Sequence, residues 1–316
     1  MPVGRRTDRP ALGPDHPGAP VAAALAATTL WSAGNLIAVS AGLPGPQLAF
    51  WRVLGGALLY QAAFRLRGGR MTLRTFRTAA LGGVAFGLSA SMFFTALKLT
   101  SVASATVIAA LQPVMLLPYS TRKMGERVDG RQLLLVLLAV AGTATVVLGA
   151  SGTSGTSDGS SVGGDLLALA GTAVGCAYFV GTKKARETLD ALEYQAAALP
   201  SGAVVALAGA VLTGPGLVRP SAADLGVAMV MVLVPGTGHL LMSWSQKHLD
   251  VNTTATIALD VTVLSSLGAV VVFGQELGAV QVVGMAVVLV ALALFVRHST
   301  GTPPIDPAEV AVAPGE

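Results

Sequence analysis

Apolar runs of membrane-spanning length recur along almost the whole chain, and the polar residues gather in the gaps between them. Ten runs can be read, at about 20–41, 46–65, 78–97, 101–121, 132–150, 164–182, 194–213, 223–245, 252–273 and 278–296. Each is long enough for a helix to cross a hydrocarbon layer of about 30 Å. They are rich in Ala, Val, Leu and Gly and lack period-2 alternation, which predicts helices and argues against a β-barrel. Most gaps are short. The exception is a Gly/Ser/Thr-rich segment at 151–163, read as a flexible linker. Residues 1–19 and 298–316 read as disordered tails. The amino end has no apolar stretch of its own before the first run, so no cleaved signal peptide is expected.

Composition sharpens this picture. The 316 residues are 53% hydrophobic and 11% charged, against about 25% charged in soluble domains. So little charge cannot cover soluble domains with a solvated surface, and the chain reads as an all-α integral membrane protein. The 20 basic residues are scattered and form no single basic face, which excludes nucleic-acid binding. One cysteine, Cys176, excludes an internal disulfide and a thiolate metal cluster. His16, His239, His248 and His298 have no metal-ligand spacing. No metal, cofactor or catalytic group is expected. The expected partners are a small-molecule substrate and the lipid bilayer, with protons as a candidate coupling ion.

The basic residues also set orientation. One side of a ten-span chain collects those of the amino terminus, the 65–77, 122–131 and 183–186 loops, Lys247 and Arg297, which is 17 of the 20. The other side receives Lys98 and Arg219, and Arg52 lies within a span. By the positive-inside rule both termini are cytoplasmic, and a multi-pass protein of the plasma membrane is expected.

A shift of 149 residues brings the two halves into partial register. It carries Phe94-Thr95-Ala96-Leu97-Lys98 onto Ser243-Trp244-Ser245-Gln246-Lys247, Gly125 onto Gly274 and Gln132 onto Gln281. Five spans per half is an odd number, so the second half must insert upside down. Two inverted five-helix repeats are therefore expected, at 20–150 and 164–297, an arrangement typical of secondary transporters. The chain resembles the drug/metabolite transporter superfamily, specifically its two-repeat EamA-domain members. Leu30-Trp31-Ser32-Ala33-Gly34-Asn35, Ala49-Phe50-Trp51-Arg52, Leu111-Gln112-Pro113-Val114 and Gly125-Glu126-Arg127 carry the resemblance, with Gly274-Gln275-Glu276-Leu277 in the second repeat. Leu259-Asp260-Val261-Thr262 departs from it. The resemblance implies a basket-like bundle whose usual activity is export of metabolites or drugs.

Ionisable residues at membrane depth are functional candidates, because a charge there costs about 2.5–3.5 kcal/mol on insertion scales. Three stand out: Asp260, His239 and Arg52. On one continuous helix, Asp260, Thr256 and Thr253 would share a face and line a wet cavity. The Asp260 carboxylate would bind a substrate ammonium or exchange a proton. His239 follows Pro235-Gly236-Thr237-Gly238, expected to break or loosen the eighth helix, and is a candidate relay to Asp260. Arg52 reads either as a clamp for a substrate carboxylate or as a structural brace. The neutral candidates are Trp31, Asn35, Ser91, Thr95, Gln112, Tyr178 and Trp244, for each of which helix packing competes with ligand contact. Gly82, Gly83 and Gly87 read as close-packing positions. No GxxxxGK[ST] occurs, so ATP does not drive the protein directly. The function expected is a secondary active transporter working by alternating access, with an amino-acid-like metabolite favoured. The alternatives are a membrane-embedded enzyme and a passive channel or helper subunit.

Overall fold

The computed structural model describes residues 18–39, 42–99, 108–126, 128–151, 162–212, 217, 219–274 and 277–301. The amino tail through residue 17, the carboxyl tail from 302, linker residues 152–161, and Arg127, Gln275 and Glu276 lie outside the described residues. Among the described residues regular structure is entirely helical. The first half contributes α1 (Ala19–Val39), α2 (Gly45–Leu66), α3 (Leu73–Leu99), α4 (Gln112–Lys123) and α5 (Gly130–Ser151). The second contributes α6 (Val162–Ala185), α7 (Ala191–Leu212), α8 (Ala222–Ser245), α9 (Val251–Ile257), α10 (Asp260–Phe273) and α11 (Ala279–Gly301). Among the described residues six segments are long and apolar enough to cross a membrane: Ala19–Ala38, Val162–Ala185, Ala191–Leu212, Ala222–Ser245, Val251–Val272 and Ala279–His298. Gly130–Val146 is a shorter apolar helix. The outward faces expose Leu58, Leu134, Leu212 and Val271, a surface suited to lipid tails.

The most extensive helix contacts join the two halves. α3 packs on α6 and α7, α8 packs on α1 and α2, α2 packs on α7, and α5 packs on α11. Exchanging the halves maps this contact set onto itself. Among the described residues each buried cluster combines side chains of both halves, so the core lies where the two meet. Two loop details repeat as well. Gly125 and Gly274 both take left-handed backbone, at φ 69° and 64°. Gln132 Oε1 then accepts from the Asp129 N–H at 3.1 Å, and Gln281 Oε1 accepts from the Gly278 N–H at 2.9 Å.

Small residues bring the helices together, as membrane packing requires. Gly83 and Gly87 on α3 sit directly on the Ala198 and Gly202 carbonyls of α7, leaving no room for a Cβ. Gly142 and Gly284 face each other across α5 and α11 in the same way. Ser91 and Thr95 satisfy their hydroxyls on the Gly87 and Ser91 carbonyls, at 2.8 and 2.7 Å, so in this structure they serve packing.

Three local expectations need correction. α8 runs unbroken through Pro235–Gly238. A Cβ at Gly34 would lie 2.8 Å from the Pro235 ring and one at Gly238 2.8 Å from Trp31, so α1 presses against the proline turn and holds it. The ninth run, by contrast, is two helices. Leu259 N–H bonds to the Thr256 carbonyl and Thr262 N–H to the Leu259 carbonyl, at 3.1 and 3.2 Å, closing a tight turn between α9 and α10. Finally, α11 continues through Gly301, past the expected start of the carboxyl tail at 298.

Candidate functional site

The residues expected to share a stripe on the ninth run are all buried, and a tight turn falls among them. Thr256 is buried and donates back to its own Asn252 carbonyl at 2.7 Å. Asp260 opens α10 and is buried against α1, where its Oδ2 accepts from Thr28 Oγ1 at 3.5 Å. Its Oδ1 has no hydrogen-bond partner. Ser32, one turn further along α1, sits 3.2 Å from the Val261 carbonyl. Asn35 Nδ2 donates to Ser265 Oγ of α10 at 3.2 Å. One edge of α1 thus holds the discontinuous span, with Asp260 as the acid at its break.

A neighbouring face of α1 meets a second cluster. Arg52 of α2 donates through Nη2 to His239 Nε2 of α8 at 2.9 Å. A guanidinium only donates, so Nε2 is the acceptor and the imidazole is neutral with its proton on Nδ1. That nitrogen lies 3.1 Å from Tyr178 Oη of α6. Trp31 and Phe86 pack against the imidazole, each with ring centroids 4.8 Å away, and the Arg52 guanidinium lies 5.8 Å from the Phe86 centroid. Five helices from both halves therefore converge on one Arg–His–Tyr chain.

Beside it lies a cavity of about 440 Å³, counted to its open mouth. Its wall includes Arg52, Val53, Tyr60, Phe86, Tyr178, Tyr194, Gln195, Leu199, Met231 and His239, with glycines at 56, 82, 83 and 236. The apolar part comes from valine, leucine, methionine and aromatic rings. The polar part is one cation, one neutral imidazole, phenols and an amide. Gln195 is buried, and its Nε2 has no hydrogen-bond partner.

The sequence-predicted residues thus divide. Arg52, His239 and Tyr178 meet at the cavity, with Trp31 backing them. Asp260 sits instead at the Thr28–Ser32–Asn35 stripe of α1, neither it nor Thr256 lines the cavity, and no hydrogen bond joins Asp260 to His239. The two sets are adjacent all the same, because Thr28 and Trp31 are one turn apart on α1, about 4.5 Å along its axis. Gln112 lies at the start of α4, where its carbonyl accepts from Cys176 Sγ at 3.7 Å. Trp244 stacks on His248 at 4.8 Å, beyond the cavity. Sequence reasoning missed Tyr60, Phe86, Tyr194 and Gln195. A signal existed, since Tyr194-Gln195 is a polar pair at the start of an otherwise apolar run.

It also missed a polar closure at the end of the bundle that carries most of the basic residues. Arg186, 2% exposed, donates through Nε to the Ser243 carbonyl at 2.8 Å and through Nη1 to the Leu189 carbonyl. Lys183 Nζ reaches the Leu249 carbonyl at 2.6 Å. Glu126, in the loop after α4, accepts from the Val251 N–H at 2.6 Å and from Asn252 Nδ2 at 3.1 Å. Burial pushes the Glu126 carboxyl above its ordinary value of 4.5, against the pull of these N–H donors. Protonation therefore favours the folded state, and that contribution fades as the pH rises through the folded value. Relative to Glu126→Gln, the wild type is expected to gain thermal stability between pH 7.5 and pH 5. Melting curves of both proteins at the two pH values check this, and a constant difference contradicts it.

A family model described as the EamA-like transporter family matches residues 19–148 and 162–297. The chain belongs to this family. It is a multi-pass membrane transporter of the drug/metabolite type, acting on a small molecule in a lipid environment. As an EamA-like transporter it carries two copies of the family unit, and the cavity lies where they meet. The fold is shared with 29 solved chains. One, described only as the crystal structure of a protein, superposes with a TM-score of 0.75 at 24% identity, covering 89% of this chain and 98% of its own. No curated protein matches the chain.

Proposed function

We propose that this transporter is a secondary active carrier working by alternating access, with ten spans in two inverted repeats and both termini cytoplasmic in the plasma membrane. Its substrate site is the cavity beside Arg52 and His239. The observation that carries this reading is the position of that cavity, walled by α2 and α3 of one repeat and α6, α7 and α8 of the other. A site built from both halves changes its access when one half rocks against the other. The 17-to-2 split of basic residues supports the ten-span topology. Export is the direction the family implies.

Coupling to protons is assigned to Asp260. It is a buried acid with one unpartnered oxygen, set at the interruption of the ninth span. Thr28 on one turn of α1 touches it, and Trp31 on the next touches His239. Movement of α1 therefore links protonation to the cavity without direct contact between the two sites.

The test is counterflow in proteoliposomes loaded with a mixed panel of organic acids, amino acids, nucleosides and organic cations, without ATP. The carrier reading predicts saturable exchange that unlabelled substrate competes. Flux linear in concentration would indicate a channel, and chemical conversion of a panel member would indicate an enzyme.

A further inference from the structure

We infer that the cavity selects a small monocarboxylate with an apolar body, binding its carboxylate at Arg52. This rests on the reading of the cavity as the substrate site, and it goes further by naming the substrate class. Arg52 lies on α2, which the ten-span reading places in the membrane, with its guanidinium at the cavity wall. Among the described residues no Asp or Glu lines that cavity, and the one ion pair is the distant His298–Asp129. His239 accepts one of the five N–H donors that a guanidinium offers, but as a neutral ring it adds no negative charge. A cation at this depth is stabilised by a counter-charge, and the described lining offers none. A substrate carboxylate supplies it, and the fork geometry of arginine matches two carboxylate oxygens.

Charge balance also sets the class. One guanidinium neutralises one carboxylate, whereas a phosphate ester or dicarboxylate would leave net negative charge in the membrane interior. A zwitterionic amino acid would need an acid for its ammonium. The nearest candidate, Asp260, bonds to Thr28 of α1 and does not line the cavity. The expectation of an amino-acid-like substrate assumed that Asp260 and Arg52 share one site, which the structure does not provide. The rest of the wall suits an uncharged body: Val53, Leu199, Met231 and Phe86 are apolar. Gln195 adds an independent sign of a polar ligand. It is 3% exposed, lines the same cavity, and its Nε2 donor is unpartnered.

The test uses the full chain in nanodiscs and measures ligand-induced thermal stabilisation and affinity. Phenylacetate is the probe. Its comparators are phenylacetamide of the same shape without charge, phenethylamine of opposite charge, and phenylalanine, which adds the ammonium. In wild type, phenylacetate is expected to bind more tightly than all three. Arg52→Gln is expected to weaken phenylacetate roughly 10- to 100-fold, the value of hydrogen bonds to a charged partner, and Arg52→Lys to fall between. If Arg52→Gln does not fold, the wild-type ligand series and Arg52→Lys decide. Equal binding of acid and amide, preference for the amine or the amino acid, or no monocarboxylate binding up to about 10 mM, ten times a Kd of 1 mM, overturns the inference. Binding is read without flux, so its failure is distinguishable from failure of the carrier reading: counterflow of another class with no carboxylate preference removes only the substrate assignment.

Discussion

Gly83→Leu is expected to yield little folded protein, and what folds should be destabilised by about 3 kcal/mol or more, at the upper end of overpacking costs. The cause is backbone rather than side-chain crowding. A Cβ at Gly83 would press into the Ala198 carbonyl and Ser201 Oγ, and the Gly202 carbonyl blocks Gly87 one turn further on. No rotamer relieves contact with a carbonyl, so α3 and α7 would have to separate. Their contact is one of the joints between the halves, and it also places Gly83 in the cavity wall. Gly226→Ala is the control, since nothing lies within 4 Å of a Cβ there. It should match or slightly exceed wild type, because alanine is favoured over glycine in a helix. Monodisperse yield and melting temperature of the two variants check the pair. A Gly83→Leu protein as stable as Gly226→Ala would mean that α3 and α7 do not touch as described.

Asp260→Asn is expected to separate coupling from folding. The carboxylate is buried with one oxygen unpartnered and one long hydrogen bond to Thr28. Removing an incompletely compensated charge of this kind is neutral or stabilising, whereas breaking a satisfied one is costly. The melting temperature should therefore equal or exceed that of wild type. Transport should change in the opposite sense. Accumulation driven by a pH gradient should fall at least tenfold, to the level of exchange without a gradient, while exchange itself persists because the cavity is unchanged. Proteoliposome uptake at two imposed gradients measures both. An Asp260→Asn protein with wild-type pH dependence would remove Asp260 from coupling, and one that fails to fold would show that its hydrogen bond to Thr28 is structural.

Much of the architecture was legible because lipid imposes simple rules. Length and apolarity mark the runs, and the repeat left traces in Gly125 and Gly274 and in Gln132 and Gln281, which the structure places in matching turns and caps. Gly82, Gly83 and Gly87 were readable as packing residues for the same reason. Arg52, His239 and Tyr178 could be picked singly, since each is unusual in an apolar span. Their convergence could not, because it depends on how α2, α6 and α8 cross, which no spacing within one helix encodes. The contact of Asp260 with Thr28 could not be read either, because it depends on how α10 packs on α1, and the tight turn at Ala258–Leu259 leaves no trace in the apolar pattern. Pro235 misled, because neighbouring α1 holds a helix that proline alone would loosen. Glu126 and Arg186 were read as a family marker and a loop charge, and their burial depends on tertiary contacts with Val251, Asn252 and Ser243.

The measurement that bears most directly on the central cavity is protection of a single cysteine placed within it. Leu199→Cys, in a Cys176→Ala background, puts a thiol on the α7 wall opposite the Arg52 cluster. A membrane-permeant maleimide is added with and without the substrate identified by counterflow. Substrate is expected to slow labelling, and completed labelling to stop exchange. Labelling at the same rate with saturating substrate, together with exchange that continues after the thiol is fully modified, would contradict this and place the transport path elsewhere in the bundle.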